Sequence, residues 1–480
     1  MNAIDAYHLP GLRNEDVLRW EERPYGDGEV VLRFPVLTPE LLESLVARLR
    51  LARAERLAGR PVASVVRALG EAAARLARED DPCRVLAERA LPAITGFSPP
   101  MVRLILDRMI ADWQEEALWR LLRSELGDPE VLDDFRPRAD EPDPAPRTLM
   151  RACGPDLAFQ IFSGNVPGVA VTALIRSLLV KAATLGKTAS GEPLLPVLFA
   201  RALAAVDHEL GECLAVTYWP GGEEALEAVA LRAADTVVVY GGREVEEQIL
   251  RRIPPGKRLV VHGARLSLGL IGRPALARDV VRRTAAEAAW ATAVFDQQGC
   301  VSPHVFYVER GGDTPPERFA GLLAAELDRL EKELPRGRIT AAEAARIHQV
   351  RGAAEFRALG GQDVQLHAGP GTQYTVIYEA NPEFAPSCLN RVVWVKPVDD
   401  LLEAVTYVSP YGSYLQTVGV AGAGPRLQAL ADRLAQAGAS RITDLTRMPF
   451  PPPTWRHDGQ QPLRELIRWV DLEVPEAPDS

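Results

Sequence analysis

Residues 157–192 read LAFQIFSGNVPGVAVTALIRSLLVKAATLGKTASGE, and they decide the fold. AFQIFSG alternates like a strand, GVAVTALIRSLLVKAA has helical periodicity, and ATLGKTAS is a short strand running into a turn. The pattern continues outward: PLLPVLFARALAAV (helix), CLAVTYWP (strand), EEALEAVALRAA (helix), TVVVYGG (strand), REVEEQILRRI (helix) and KRLVVHG (strand). Strands alternating with helices at this spacing predict right-handed βαβ crossovers, hence an α/β chain with a parallel sheet covered on both faces. Ligands of such sheets bind at the carboxyl ends of the strands. Those ends carry SGNVPG, GKTASGE, WPGGEE and YGGRE, all small and polar, as a nucleotide requires.

After Gly272 a second alternating series is predicted: a helix over 275–293, the turn FDQQGCVSP, the strand HVFYVE and a helix from about Pro316. Strands at TQYTVIYE, RVVWVKP, LQTVGVA and RITDL follow, with helices in DDLLEAVTYV and PRLQALADRLAQAG. The chain closes with PFPPPTWRHDG and LRELIRWVDLE, read as a helix followed by a strand. Upstream, the strand GEVVLRFPVL precedes Ala/Leu/Arg-rich helices from about Pro39 to Glu125, whose Leu42, Leu45 and Leu49 mark one buried face. DPEVLDDFRPRADEPDPAP is too rich in Pro and Asp to continue a helix and reads as a connection.

The 480 residues carry 55 Lys+Arg against 65 Asp+Glu, a net charge of −10, which argues against nucleic acid as a partner. No apolar run reaches the roughly 18 residues of a membrane span, and the acidic N-terminus has no signal-peptide core. Five scattered cysteines (Cys83, Cys153, Cys213, Cys300 and Cys388) form no CxxC pair, so neither a disulfide framework nor a metal site is expected, and a reducing cytoplasm is the simplest location.

Cys300 is the most informative of them. It follows Gly299 in a tight polar turn, where backbone N–H groups and an exposed thiol favour nucleophilic chemistry, against the usual role of cysteine as a small buried residue. Cys83 and Cys213 sit in apolar contexts and read as core; Cys153 and Cys388 read as structural. Asn165, where a strand passes into a helix, either donates to an oxyanion or serves the turn. Lys187, with hydroxyls at Thr188 and Ser190, makes a cationic cluster suited to a ribose or phosphate, with Glu192 nearby; the alternative is a plain surface lysine. Gly241 and Gly242, before a helix, could receive a pyrophosphate. His262, His304 and His457 read as structural. Neither GxxxxGK[ST], GxGxxG nor GxSxG occurs.

Taken in order, FSGNVPG, GKTASGEP, AVTYWPGGEE, VVYGG and DQQGCVSP resemble the aldehyde dehydrogenase superfamily, and more closely its acyl-CoA reductase branch of the LuxC type, known from bacterial bioluminescence. The resemblance runs over roughly residues 150–475, continuing through NPEFAP, SPYGSYLQTVGV and HDGQQPLRELIRWVDLE. It implies two Rossmann-like parallel-sheet domains and a small oligomerisation element. The division it suggests is an N-terminal region (1–127) packing on the cofactor domain, a connection with an oligomerisation hairpin (128–156), the cofactor domain (157–272), the catalytic domain (273–440) and a C-terminal segment with an oligomerisation strand (441–480).

By position, Cys300 matches the family's nucleophile, Asn165 its oxyanion asparagine, Lys187 its ribose or 2′-phosphate lysine, and Gly241–Gly242 its pyrophosphate turn. Glu383, in Glu383-Phe384-Ala385-Pro386, stands one place from the glutamate that holds the nicotinamide ribose. The general-base glutamate of the hydrolytic members has no match, since this region reads VVHGARLS. The implied activity is reduction of a fatty acyl-CoA or acyl-protein thioester to an aldehyde with NADP(H), in a homo-oligomer that could work with acyl-protein synthetase or acyltransferase partners. Two other readings stay open: an NAD(P)-dependent aldehyde dehydrogenase acting oxidatively, and a catalytically silent nucleotide-binding subunit.

Overall fold

Every residue of the strand Leu157–Ile161 is buried, which suits it to the centre of a sheet covered on both faces. The computed structural model, which describes residues 3–138 and 148–473, places it there. The strand order is Arg258–His262, Thr236–Tyr240, Leu157–Ile161, Ala183–Lys187, Leu214–Thr217, and every neighbouring pair is parallel. The predicted alternation is therefore the observed one. The order reverses beside Leu157–Ile161, and at such a switch point the loops leaving the carboxyl ends diverge into a crevice. Gly168 opens the helix Val169–Leu179 at φ +95°, a left-handed conformation, and a Cβ there would meet Met109 Cγ at 2.8 Å.

This sheet belongs to the first of two compact units, formed by Met1–Thr95, Ile105–Gly263 and Pro452–Ser480. GEVVLRFPVL forms the strand Val30–Pro35, which lies between Ile4–Asp5 and Trp20–Tyr25. A further antiparallel sheet joins Arg468–Glu473 to Thr148–Cys153 and Arg136–Pro137. The sequence stretch read as an oligomerisation hairpin falls partly on residues 139–147, outside the described residues, as does the end of the chain after 473. One expectation fails at the C-terminus: residues 462–466 make a turn where a helix was predicted. There the buried Glu125 carboxylate accepts from Leu463 N (2.9 Å) and Arg464 N (3.1 Å).

The second unit, Gly96–Leu104 and Ala264–Pro451, is built on a seven-stranded sheet. Its order is Val364–Ala368, Thr375–Glu379, Val392–Val398, Pro303–Glu309, Leu266–Ile271, Leu415–Ala421, Arg441–Thr443; only the first pair is antiparallel. Leu266–Ile271 pairs on both sides inside this sheet, so the units part after Gly263 and not at the predicted 272. The helix predicted over 275–293 begins only at Val281, after a 3-10 turn at Arg273–Leu276 that contains a proline. The sequence reading missed the helix Ala341–Leu359, because only Ile347 and Ala354 are buried along it and its apolar stripe is thin. A reciprocal cap starts it: Thr340 Oγ1 accepts from Glu343 N while the Glu343 carboxylate accepts from Thr340 N.

Candidate active site

In the second unit, Cys300 follows a turn with unusual backbone geometry. Phe295, Asp296 and Gln297 have φ of +59°, +48° and +65°, three successive left-handed residues without a glycine. Each such residue costs about 1–2 kcal/mol, so the turn exists only because its surroundings impose it. A second left-handed run, Leu389, Asn390 and Arg391 at +65°, +57° and +62°, is tied to it. The Arg391 guanidinium, fully buried, meets the Asp296 carboxylate at 2.7 Å, and Arg391 Nη1 donates to Glu331 at 2.9 Å. The other Asp296 oxygen accepts from Gly337 N at 2.9 Å. Burial pushes the Asp296 carboxyl up, against the pull of Arg391. Gln297 closes the tie: its Nε2 donates to Pro303 O and Val392 O, and its Oε1 accepts from Val392 N. Gln298 Nε2 reaches Asn390 Oδ1 at 3.0 Å.

This frame delivers Cys300 half-buried to a turn anchored by its own carbonyl, which accepts from Ser267 Oγ at 2.7 Å; that hydroxyl accepts in turn from Thr417 N. Arg441 is close enough to interact electrostatically with the Cys300 sulfur. Burial pulls Arg441 down to about 10, while attraction to Asp444 and to the Cys300 thiolate pulls it back up. A nearby guanidinium favours the thiolate, the reactive form of the side chain. Cys213 contrasts with it, because burial pushes its thiol up to about 12. Burial likewise raises Cys83 and Cys388. Nothing in the sequence around Arg441 marked it; DQQG, polar residues in a buried turn, was the one available signal for the frame. Glu383 lies exposed in the loop after Thr375–Glu379, its N–H donating to Asn381 Oδ1.

In the first unit, the loops expected to bind a nucleotide meet at the carboxyl edge of the sheet. Gly164 brings the Asn165 loop against GKTASGE: an added Cβ would sit 2.9 Å from Glu192 N and from Gly191 Cα. Asn165 itself is exposed. Lys187 is buried, its Nζ 3.5 Å from Glu227 and over the Trp219 ring, and burial pulls its pKa down. Glu227 also pairs with Arg252 at 2.6 Å. Thr188 is buried with its hydroxyl on Thr217 O, and Ser190 is exposed, so the three do not form one cluster of outward-facing donors. Glu192, which sequence proximity had made a rival ribose ligand, turns inward. Its carboxylate accepts from Leu194 N and Leu195 N at the start of helix Leu195–Val206. Gly241 N donates to His262 O, and Gly242 caps the helix Arg243–Arg252. A Cβ at Gly242 would meet nothing within 4 Å, which leaves that backbone accessible to a phosphate.

Two of the histidines have partly buried partners. His304 is structural as expected, accepting from Ser387 N, and burial lowers it to about 4. His262 Nδ1 lies 3.2 Å from Asp458 Oδ2, both side chains buried.

Comparison with known proteins agrees with this picture. The acyl-CoA reductase (LuxC) family model matches residues 57–469. The long-chain acyl-protein thioester reductase of Aliivibrio fischeri is 28% identical over 397 residues, covering 81% of this chain and 77% of that protein. Its counterpart in Photorhabdus luminescens is 27% identical over 398 residues, with the same coverage. Among solved structures, an NAD-dependent benzaldehyde dehydrogenase from Corynebacterium glutamicum superposes with TM-score 0.74 at 15% identity, over 98% of this chain and 99% of that one. A betaine aldehyde dehydrogenase from Staphylococcus aureus, solved with NAD+, gives 0.71 at 14% identity, over 98% and 95%. The fold is that of the aldehyde dehydrogenases.

Proposed function

The chain belongs to the acyl-CoA reductase (LuxC) family, a family of oxidoreductases, and from that premise we propose that it reduces a long-chain acyl thioester to the aldehyde through an acyl group carried on Cys300. The observation that carries this reading is the position of Cys300 after an imposed left-handed turn and beside the Arg441 guanidinium. Its thiolate attacks the thioester carbonyl of acyl-CoA or of an acylated protein. A carbon–sulfur bond to Cys300 forms, the bond to the donor sulfur breaks, and the donor leaves as a thiolate that takes a proton from solvent. NADPH, when bound, supplies the hydride. Collapse of the reduced adduct then returns the Cys300 thiolate and releases the aldehyde. Covalent catalysis divides one difficult displacement into two easier ones.

Asn165 is proposed as the amide donor to the oxyanion. Bare backbone at Gly241–Gly242 and the helix start behind it fit a pyrophosphate, and the Lys187 ammonium fits the ribose end with its 2′-phosphate. Glu192 is turned inward, and the carboxylate beside Lys187, Glu227, is shared with Arg252, which favours NADPH over NADH. Glu383 is proposed at the nicotinamide ribose. The segments before 127 support the cofactor domain, and the exposed Trp469 and Leu472 on strand Arg468–Glu473 are proposed as contacts between copies of the chain. An acyl-protein synthetase or an acyltransferase is the proposed source of acyl groups. The test is NADPH consumption against a series of acyl-CoA chain lengths and an acylated protein, with aldehyde identified as product. Consumption without aldehyde, or a strict need for NADH, would replace this reading.

A further inference from the structure

The helix Ala341–Leu359 belongs to the second unit and packs on the edge strand Val364–Ala368. Ile347 and Ala354, seven positions apart, are the two residues it buries, so one narrow line of the helix faces its own chain. The opposite face carries Ala342, Ala345, Gln349, Gly352, Phe356 and Leu359, and all six are exposed. Phe356 is 77% exposed and Leu359 88%. Large apolar side chains grouped on one open face mark a surface that meets a partner.

The six residues are spaced 3-4-3-4-3, the heptad repeat that keeps a single seam in line along a helix. Arg346, His348, Ala353 and Glu355, which flank the seam, are exposed too, whereas Glu343, Val350, Arg351 and Arg357 behind them are half-buried. The seam is therefore open on both sides over about 26 Å, at 1.5 Å of rise per residue.

Gly352 adds an independent observation. Glycine weakens a helix interior, yet a Cβ at Gly352 would meet nothing within 4 Å. No packing among the described residues requires a glycine in the middle of this seam. A second backbone passing close to it does.

The seam is complementary to itself. Two copies of the helix can lie antiparallel about a twofold axis midway between Gln349 and Gly352. Leu359 then falls opposite Ala342 of the second copy, Phe356 opposite Ala345, and Gly352 opposite Gln349. Every large side chain meets a small one, which lets the layers interdigitate. On the flanks, Glu355 faces His348 of the second copy, a carboxylate opposite an N–H donor, and Arg346 lays its stem beside Ala353. Like charges do not face each other along the seam. Parallel pairing would instead set Phe356 on Phe356 and leave the alanines and Gly352 facing one another across a gap.

We infer that the helix Ala341–Leu359 is a docking surface for the same helix of a second copy of this chain, paired antiparallel with Phe356 on Ala345 and Leu359 on Ala342. The contact is isologous and closes on itself. It is separate from the contact proposed at strand Arg468–Glu473 of the first unit, and the two together carry the assembly beyond a dimer. It does not depend on the reaction proposed above.

The test uses the full-length protein. Phe356→Glu places a carboxylate against an alanine methyl in the seam and is expected to halve the mass seen by sedimentation. Its thermal midpoint should stay within a few degrees of wild type, because Phe356 is exposed in the single chain. The double variant Ala342→Cys/Leu359→Cys keeps the inner layers and tests the direction of pairing. Its two new thiols lie about 26 Å apart along one helix, so a disulfide between them joins two chains. Mild oxidation is expected to link the double variant into dimers on a non-reducing gel, and to leave wild type and both single variants unlinked. Equal linking of Leu359→Cys alone overturns the antiparallel pairing. An unchanged mass in Phe356→Glu overturns the docking surface and leaves the strand contact standing, and wild type that sediments as a single chain removes both. Unchanged mass with lost binding to phosphatidylglycerol vesicles overturns it in favour of a lipid surface.

Discussion

The Arg391 guanidinium, with no solvent exposure, holds the Asp296 carboxylate at 2.7 Å across two facing runs of left-handed backbone. That pair sets the shape of the turn from which Cys300 emerges, four residues after Asp296. Asp296→Asn leaves a buried guanidinium short of one anion, at a cost of about 3–5 kcal/mol. The expected result is a lower urea midpoint together with slower acyl transfer to Cys300. A variant that keeps both the midpoint and the labelling rate of wild type would show that the turn is held by Gln297 instead.

Cys300→Ala should abolish reduction while leaving the protein folded and able to bind cofactor. Incubation with radiolabelled acyl-CoA in the absence of reductant should label wild type and not the variant. Cys213→Ala should remain active, with a stability loss of about 1–3 kcal/mol for a truncated core side chain. Equal labelling of Cys300→Ala and wild type rules out the assignment of the nucleophile.

Lys187 tests the cofactor. Its ammonium shares Glu227 with Arg252, so its charge is partly compensated before any ligand arrives. Lys187→Ala should raise KM for NADPH by about tenfold, the loss of one charge-assisted contact, and KM for NADH much less. A uniform rise would move the 2′-phosphate contact elsewhere.

Glu192 makes a prediction about pH. Burial raises its carboxyl to about 7 in the folded protein, above the usual unfolded value of about 4.3. Protonated Glu192 therefore favours folding: its contribution is fully present below about pH 4.3 and is lost as pH rises through about 7. Glu192→Gln retains an oxygen for Leu194 N and Leu195 N but cannot ionise. At pH 5 the two proteins should melt close together, and at pH 8 the variant should be the more stable, by on the order of 1–3 kcal/mol. The check is the thermal midpoint across that range; parallel curves would refute a titrating Glu192.

The exposed edge of strand Arg468–Glu473 should matter to assembly. Replacing Leu472 with Lys is expected to lower the mass seen by sedimentation without loss of folding, because charge on an edge strand discourages pairing between chains. An unchanged mass would place the contact between copies elsewhere.

Much of the architecture was legible along the chain. Apart from the short helix His208–Gly211, the strands and helices from residue 157 to 262 stood where the hydrophobic period put them, because burial on both faces of a parallel sheet demands uninterrupted runs such as TVVVY and LAFQI. The helix Ala341–Leu359 escaped because it buries so little, and the end of the first unit was misplaced because strand pairing, which assigns Leu266–Ile271 to the second sheet, is a non-local choice.

The candidate site divides in the same way. Sequence by itself determined that a cysteine follows a polar turn after a long helix, that glycine-rich loops end the strands, and that no hydrolytic glutamate stands at residues 261–263. Only the tertiary structure decided what surrounds them: Arg391 on Asp296 across 95 positions, and Asp458 on His262 across 196. Periodicity reports which face of an element is buried. It carries no information about which distant loop arrives on that face, and it is the arriving charge, in a low-dielectric interior, that sets the chemistry of the group it meets.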